Sequence, residues 1–270
     1  VFEGWAITKL KGLFMNFTKY ISQSIATVIL LHIIIRTMNT TFNQYRKACY
    51  QERILQNNLE VVKDATKRSK PFLKKIESFR QEKLTDIERE VMTVDVICQR
   101  IIAGDPLVCA LFRKDPTKQS LDEVCQIQWL KKNLSPTTDK LPADKVGAKF
   151  FINQTLSTIT ETNKRPKHAS KTLDTYDPVN NTYGILKYTS VSGGAQDNQF
   201  ADVEHFMREI VGYLQKTADA PETFVFYLDG SYYTEEKIHC LKELIPEGFD
   251  GRIRITNCEA ILPRPSESDC

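Results

Sequence analysis

Residues 172–214 read TLDTYDPVNNTYGILKYTSVSGGAQDNQFADVEHFMREIVGYL, and this stretch decides the fold. Residues 172–176 carry β-branched and aromatic side chains over a short run, which predicts a strand. Pro178, Asn180 and Asn181 supply turn chemistry after it. Residues 182–191 (TYGILKYTSV) predict a second strand. Alternation puts Tyr183, Ile185, Lys187 and Thr189 on one face, and Gly184, Leu186, Tyr188 and Ser190 on the other. Asp174 on the partner strand can then approach Lys187 across the hairpin. Ser192, Gly193 and Gly194 can turn backbone N–H groups toward an anion near a helix start. Apolar residues next recur at Phe200, Val203, Phe206, Met207, Ile210, Val211 and Leu214, a helical period with one buried stripe.

Downstream, residues 223–228 (TFVFYL) predict an apolar strand, followed by the turn signal Asp229-Gly230. Thr234 is placed to cap a helix through Leu244, with Glu235 and Glu236 in its first turn. Residues 252–258 (RIRITNC) predict a last strand. Upstream, residues 145–161 are expected to supply a helix before the sheet. Ser120 and Glu123 have capping-box spacing at the head of a helix over 121–132. The resulting order alternates helices and strands, which defines an α/β class with a mixed β-sheet flanked by helices.

The first part of the chain reads as mainly helical. Residues 48–100 are helical in pattern and highly charged, and Pro71 is expected to break or restart a helix. Lys63, Lys67, Arg68, Lys70, Lys74, Lys75, Arg80 and Lys83 surround it and could track phosphates. Glu60, Asp64, Glu77 and Glu82 among them are equally consistent with a solvated face. The Pro- and Thr-rich stretch 133–143 (NLSPTTDKLPA) marks the expected boundary. It separates a mainly α-helical region, 1–140, from an α/β core, 141–270.

At 270 residues and 41% hydrophobic content, the chain can bury a substantial core. Its net charge of +3 permits an anionic partner without arguing for one, so local clusters must carry that case. The strongest is 163–171 (NKRPKHASK), where Lys164, Arg165, Lys167 and Lys171 lead straight into Asp174. Seven scattered cysteines with no CxxC pair favour reduced thiols in a cytoplasmic protein over a disulfide framework or a zinc site. His168, His205 and His239 match no zinc spacing. Residues 25–35 are strongly apolar, but His32 interrupts them and Arg36 ends them. The run falls short of a span of about 20 residues, so a buried helix and no membrane are expected. No small-residue cleavage site follows it, which argues against a signal peptide.

Asp174, then Lys187 followed by YTSVSGGAQDNQ and a helix, resembles the core of PD-(D/E)xK nucleases, and more narrowly type II restriction endonucleases. The resemblance covers roughly residues 145–262. It implies a restriction-endonuclease-like core in which an Asp from one strand and an acid-x-Lys from the next hold Mg²⁺ and position a water. Asp174 would be the first acid, ahead of Asp177, and Lys187 the lysine. Ile185 stands where the family has an acid and cannot ligate a metal. The order Pro-Asp is also reversed here, as Asp177-Pro178.

Some enzymes of the family take a second acid from the helix after the lysine, which implies Asp202 or Glu204. On a helical wheel Glu204 falls near the edge of the stripe and has the longer reach, so Glu204 is preferred as the second metal ligand beside Asp174. Gln196 could hold a water or a phosphate. The function implied is sequence-specific, Mg²⁺-dependent cleavage of double-stranded DNA by a homodimer, with the N-terminal region helping to dimerise or embrace DNA.

Two other readings stay open: a DNA-binding or scaffold protein on a decayed nuclease fold, and a helical interaction protein carrying an unrelated α/β domain. Each singled-out residue also has a plain role to weigh. Asp174 can be a strand-end turn residue, Lys187 an edge lysine with its head in water, and Tyr232-Tyr233 packing aromatics rather than base stackers.

Overall fold

The computed structural model describes residues 26, 41–115, 120–190, 194–217 and 219–261, with 194–196 described by their backbone alone. The apolar run 25–35 lies almost wholly outside them, as do Ser192 and Gly193. No helix among the described residues is long and apolar enough to cross a membrane. The described chain divides into two compact units, one of residues 44–121 and one of residues 122–261 joined by 41–43.

The first unit is helical. It contains most of α1 (Phe42–Lys67), then α2 (Lys70–Lys83), α3 (Asp86–Val91), α4 (Val94–Ile102) and α5 (Pro106–Phe112). The punctuation is local chemistry. Arg68 turns the chain with φ 48°, and Pro71 sits in the first turn of α2, where its missing N–H costs nothing. Thr85 and Glu88 form a capping box on α3, Thr93 caps α4, and Asp105 caps α5 ahead of Pro106. Val62, Ala65, Ile76, Ile97, Ile101 and Cys109 close its core. Arg80, one of the basic residues near Pro71, is spent on structure: it donates to the carbonyls of Met92 and Arg89 and pairs with Glu77.

The second unit is a mixed α/β layer structure. It opens with α6 (Leu121–Asn133, whose first residue ends the first unit) and β1 (Asp139–Lys140). Then come β2 (Lys149–Ile152), β3 (Thr155–Thr158), β4 (Thr175–Asp177), β5 (Thr182–Tyr188), α7 (Gly194–Lys216), β6 (Thr223–Asp229), α8 (Glu235–Lys242) and β7 (Ile253–Thr256). Five strands form one sheet in the order β1-β4-β5-β6-β7. β1–β4 and β4–β5 are antiparallel, whereas β5–β6 and β6–β7 are parallel, with α7 and α8 as their crossovers.

The α7 stripe seals one face of the sheet. Val203, Phe206, Met207, Ile210 and Leu214 pack on Tyr183, Ile185, Phe224, Phe226 and Leu228, joined by Leu241 of α8. Burying each such side chain contributes about 1.5–3 kcal/mol. On the other face α6 supplies Gln126, whose amide donates to Asp229 (2.7 Å), and Trp129, whose indole N–H donates to the Cys258 carbonyl (2.9 Å). β6 is covered on both faces, which is why it reads as an unbroken apolar run.

Two expectations are corrected. Residues 145–161 form no helix; they form the β2–β3 hairpin, in register Ile152↔Thr155. Asn153 and Gln154 both take positive φ (50° and 60°), the pattern of a two-residue hairpin turn. The β-branched and aromatic residues on either side suit strands. The stretch 133–143 is not a linker either. Ser135 and Thr138 are buried, and β1 pairs with β4 inside it. The division between units therefore falls ahead of α6, not after it.

Candidate active site

β4 and β5 are paired from Asp177↔Thr182 to Thr175↔Gly184, and then they part. The Leu173 N–H donates to the Lys149 carbonyl of β2 (2.8 Å), so the chain before Asp174 belongs with the hairpin. β5 continues to Tyr188 without β4 beside it. Asp174 sits at the fork. Its N–H donates to the Gly184 carbonyl (3.1 Å), and its carbonyl accepts from the Leu141 N–H (2.8 Å). Its carboxylate Oδ2 accepts the Leu186 N–H at 2.7 Å, taking the place of a strand carbonyl.

Lys187 is the next residue along β5, half-buried, beside Leu228 of β6. Asp174 and Lys187 form no ion pair or hydrogen bond with each other among the described residues, but the Lys187 ammonium contributes to the field at the Asp174 carboxyl. Burial pushes the Asp174 carboxyl above the usual carboxylate range, while the Lys187 ammonium and the Leu186 N–H pull it down. Ile185, by contrast, is fully buried against α7. Its side chain belongs to the core.

The field at Asp174 has two further sources, the Glu123 carboxylate, which raises its pKa, and the Lys140 ammonium, which lowers it. Glu123 stands in the first turn of α6 and forms an ion pair with Lys140 of β1 at 2.8 Å. Lys140 is the register partner of Thr175, next to Asp174. Sequence reasoning gives Glu123 only a capping role, because nothing local ties the head of α6 to β4. The usable signal is an acid in the first turn of the helix that precedes the sheet.

The two helix acids flank buried Val203, and both are half-buried. Asp202 forms an ion pair with Lys171 at 2.5 Å and lies near the Tyr233 hydroxyl. Lys171 is three residues before Asp174, so this contact ties α7 to the Asp174 segment. Glu204 makes no ion pair or hydrogen bond among the described residues. Among the described residues, Asp202 is the helix acid tied by a contact to the segment that leads into Asp174.

Asp177 is fully engaged elsewhere. Although burial opposes it, hydrogen bonds from Thr137 (2.5 Å), Asn180 (2.6 Å) and the Val179 N–H (3.1 Å) hold its carboxyl down at about 2. It closes the β4–β5 turn.

Of the candidate DNA contacts, Lys164 and Lys167 are exposed in the loop after β3. Arg165 is held by Asp144 (2.5 Å) and by the Ser170 carbonyl (3.0 Å). Lys171 is exposed and carries the Asp202 pair. Gly194 is the first residue of α7, and Gln196 lies in its first turn. Tyr232 is buried and donates to Asp197 (2.7 Å), so it packs rather than stacks on bases.

Among the described residues, no group of three or more His, Cys, Asp or Glu side chains is placed to hold a metal ion. Mg²⁺ at phosphoryl-transfer sites takes one or two carboxylates together with substrate phosphates. Asp174 and Glu123 are the two carboxylates whose charges interact at the fork, and Glu123 is itself paired with Lys140. No family model, curated protein or solved structure matches this chain.

Proposed function

We propose that the second unit is a restriction-endonuclease-like core and that the chain is a sequence-specific, Mg²⁺-dependent endonuclease of type II restriction type, acting on double-stranded DNA. The observation that supports this most is the Asp174 carboxylate seated where β4 and β5 part, bonded to the N–H of Leu186, the residue before Lys187.

Asp174 would hold the metal, with a second carboxylate from Glu123, Asp202 or Glu204. Mg²⁺, when bound, polarises the scissile phosphate and lowers the pKa of a water. Asp174 is oriented for this by the Leu186 N–H, which fixes one of its oxygens. Lys187 sets its positive charge where negative charge develops on the phosphate during attack. Lys164, Lys167 and Lys171 line the approach along the sugar–phosphate backbone, and cleavage of both strands calls for two such sites, hence a homodimer. Such an enzyme works in the cytoplasm, in keeping with cysteines that form no disulfide among the described residues.

A second reading, a catalytically decayed nuclease-fold DNA-binding or scaffold protein, is favoured by Ile185, which fills the core where the family has an acid. Incubation with plasmid separates the two. Discrete fragments with Mg²⁺ and none with EDTA are expected of the enzyme. Salt-sensitive DNA binding, with intact plasmid in both Mg²⁺ and Mn²⁺, would leave the binding protein.

A further inference from the structure

We propose that a cleft on the sheet face opposite α7, floored by Gly184 and edged by Thr138, Thr175, Tyr227 and Arg254, binds a small oxyanion of the phosphate class: inorganic phosphate or a phosphate monoester group. The proposal does not depend on the nuclease reading.

The site is built from one row of the sheet. Thr175, Gly184, Val225 and Arg254 are register partners across β4, β5, β6 and β7. Their chain neighbours Tyr176, Tyr183, Phe224 and Ile253 pack with the α7 stripe, so this row faces the other way. Gly184 leaves the middle of the row without a side chain. A Cβ there would collide with the Thr175 Oγ1 and meet the Tyr227 ring at 3.4 Å, so these two residues converge over it. A glycine inside a strand marks such a close approach. Leu134 and Thr138, in the chain that follows α6, close the rim of a cleft of about 240 Å³. That is below the roughly 300–1,000 Å³ of pockets for drug-sized ligands, so the occupant is small.

The free hydrogen-bonding capacity of the cleft lies on its donors. Thr138, Thr175 and Tyr227 are 5%, 2% and 4% exposed. Their hydroxyls make no hydrogen bond among the described residues, yet none is sealed off, so each oxygen opens on the cleft. A buried hydroxyl without a partner is costly, and a ligand oxygen removes that cost. Arg254 is exposed at the rim and makes no ion pair or hydrogen bond through its side chain among the described residues, whereas Arg252 is held by the carbonyls of Glu222 and Ala220. The acceptors are already in use. The Asp177 carboxylate accepts from Thr137, Asn180 and the Val179 N–H. Three O–H donors and a guanidinium suit a tetrahedral oxyanion, which a guanidinium can grip through two oxygens. The charge of Asp177 in the same cleft opposes an anion, so binding depends on Arg254 to outweigh it.

Isothermal titration calorimetry on the full chain, without metal or DNA, would use inorganic phosphate and methyl phosphate as probes, with circular dichroism confirming the fold of each variant. Arg254→Met is expected to weaken phosphate binding about tenfold, through loss of a charge-assisted pair. Thr175→Val, which removes the O–H and keeps the shape, is expected to weaken it about threefold to fivefold. Arg208→Met, at an exposed arginine of α7, is expected to keep wild-type affinity. Tighter binding of inorganic phosphate would support a cleft that takes the whole anion, and tighter binding of methyl phosphate one that takes the end of a monoester. No binding of either probe by the wild type would overturn the proposal, the hydroxyls then being met by water alone. Equal weakening in Arg254→Met and Arg208→Met, with Thr175→Val unchanged, would also overturn it, as the mark of diffuse surface charge.

Discussion

Replacing Ile185 with Asp would put an acid two residues before Lys187, and the structure predicts that the protein will not tolerate it. Ile185 is fully buried among Val203, Met207, Phe226 and their neighbours. Losing most of its apolar side chain costs about 2–5 kcal/mol, as for Ile→Ala in a core. The new carboxyl adds the cost of burial without a designed partner. A carboxyl kept neutral by a shift of about 3 pKa units costs roughly 4 kcal/mol more at neutral pH.

The sum is comparable to the whole stability of a typical domain, about 5–15 kcal/mol. Ile185→Val should cost only about 0.5–1.5 kcal/mol. The pH dependence has a definite sign. A carboxyl whose folded pKa is raised is least costly below its unfolded pKa of about 3.9, and its penalty grows as pH rises above that value. Urea denaturation at several pH values measures all of this. An Ile185→Asp protein that unfolds at the wild-type urea concentration at pH 7 would refute the sealed-core argument. It would also make position 185 the natural place for a metal ligand.

Lys187→Ala is expected to abolish Mg²⁺-dependent cleavage while leaving the circular dichroism spectrum intact, since its ammonium lies at the fork rather than in the core; cleavage at the wild-type rate would remove Lys187 from the mechanism. Asp174→Asn and Asp177→Asn should differ in opposite directions. Asp174 has a raised pKa, so its ionisation destabilises the fold as pH rises above 3.8, and Asp174→Asn should keep or gain stability at pH 7 while losing cleavage. Asp177 has a lowered pKa of about 2, so its contribution is present above 3.8 and lost as pH falls through about 2. Asp177→Asn should then cost about 1–3 kcal/mol at pH 7 and spare cleavage, as thermal melts and a cleavage assay would read. Charge reversal at Lys164 and Lys167 should weaken DNA binding and lower its salt slope without affecting the melting temperature, whereas reversal at Arg165 should also lower that temperature by freeing Asp144 and the Ser170 carbonyl.

What is legible in the sequence follows from the range of the forces involved. The stripe of α7 and the apolar run of β6 announce themselves because burial repeats at the period of the element. Thr234 caps α8 as expected, because a cap is a contact across three residues. The β2–β3 hairpin is missed because Asn153-Gln154 is a weaker turn signal than Asn-Gly, and Gly147 with Ala148 gives the stretch a neutral start. β1 is missed because two residues carry no period at all. Its position comes from pairing with β4, far along the chain.

The same distinction governs the site. Asp174 and Lys187 are found together because one hairpin joins them. Glu123 and Lys140 pair with each other through α6 and β1 and act on Asp174 by charge alone, and no spacing in the chain announces that. This bears on the choice between an enzyme and a binding protein. Ile185 looks like decay if the second acid must come from β5. If Glu123 of α6, whose charge acts on Asp174, supplies that acid instead, position 185 is free to serve the core and a buried isoleucine is compatible with catalysis. What would count against it is a Glu123→Gln protein that cuts DNA like the wild type while Asp174→Asn does not. In that case Asp174 would need its second carboxylate from α7, and Asp202, tied to the Asp174 segment by Lys171, would be the residue to change next.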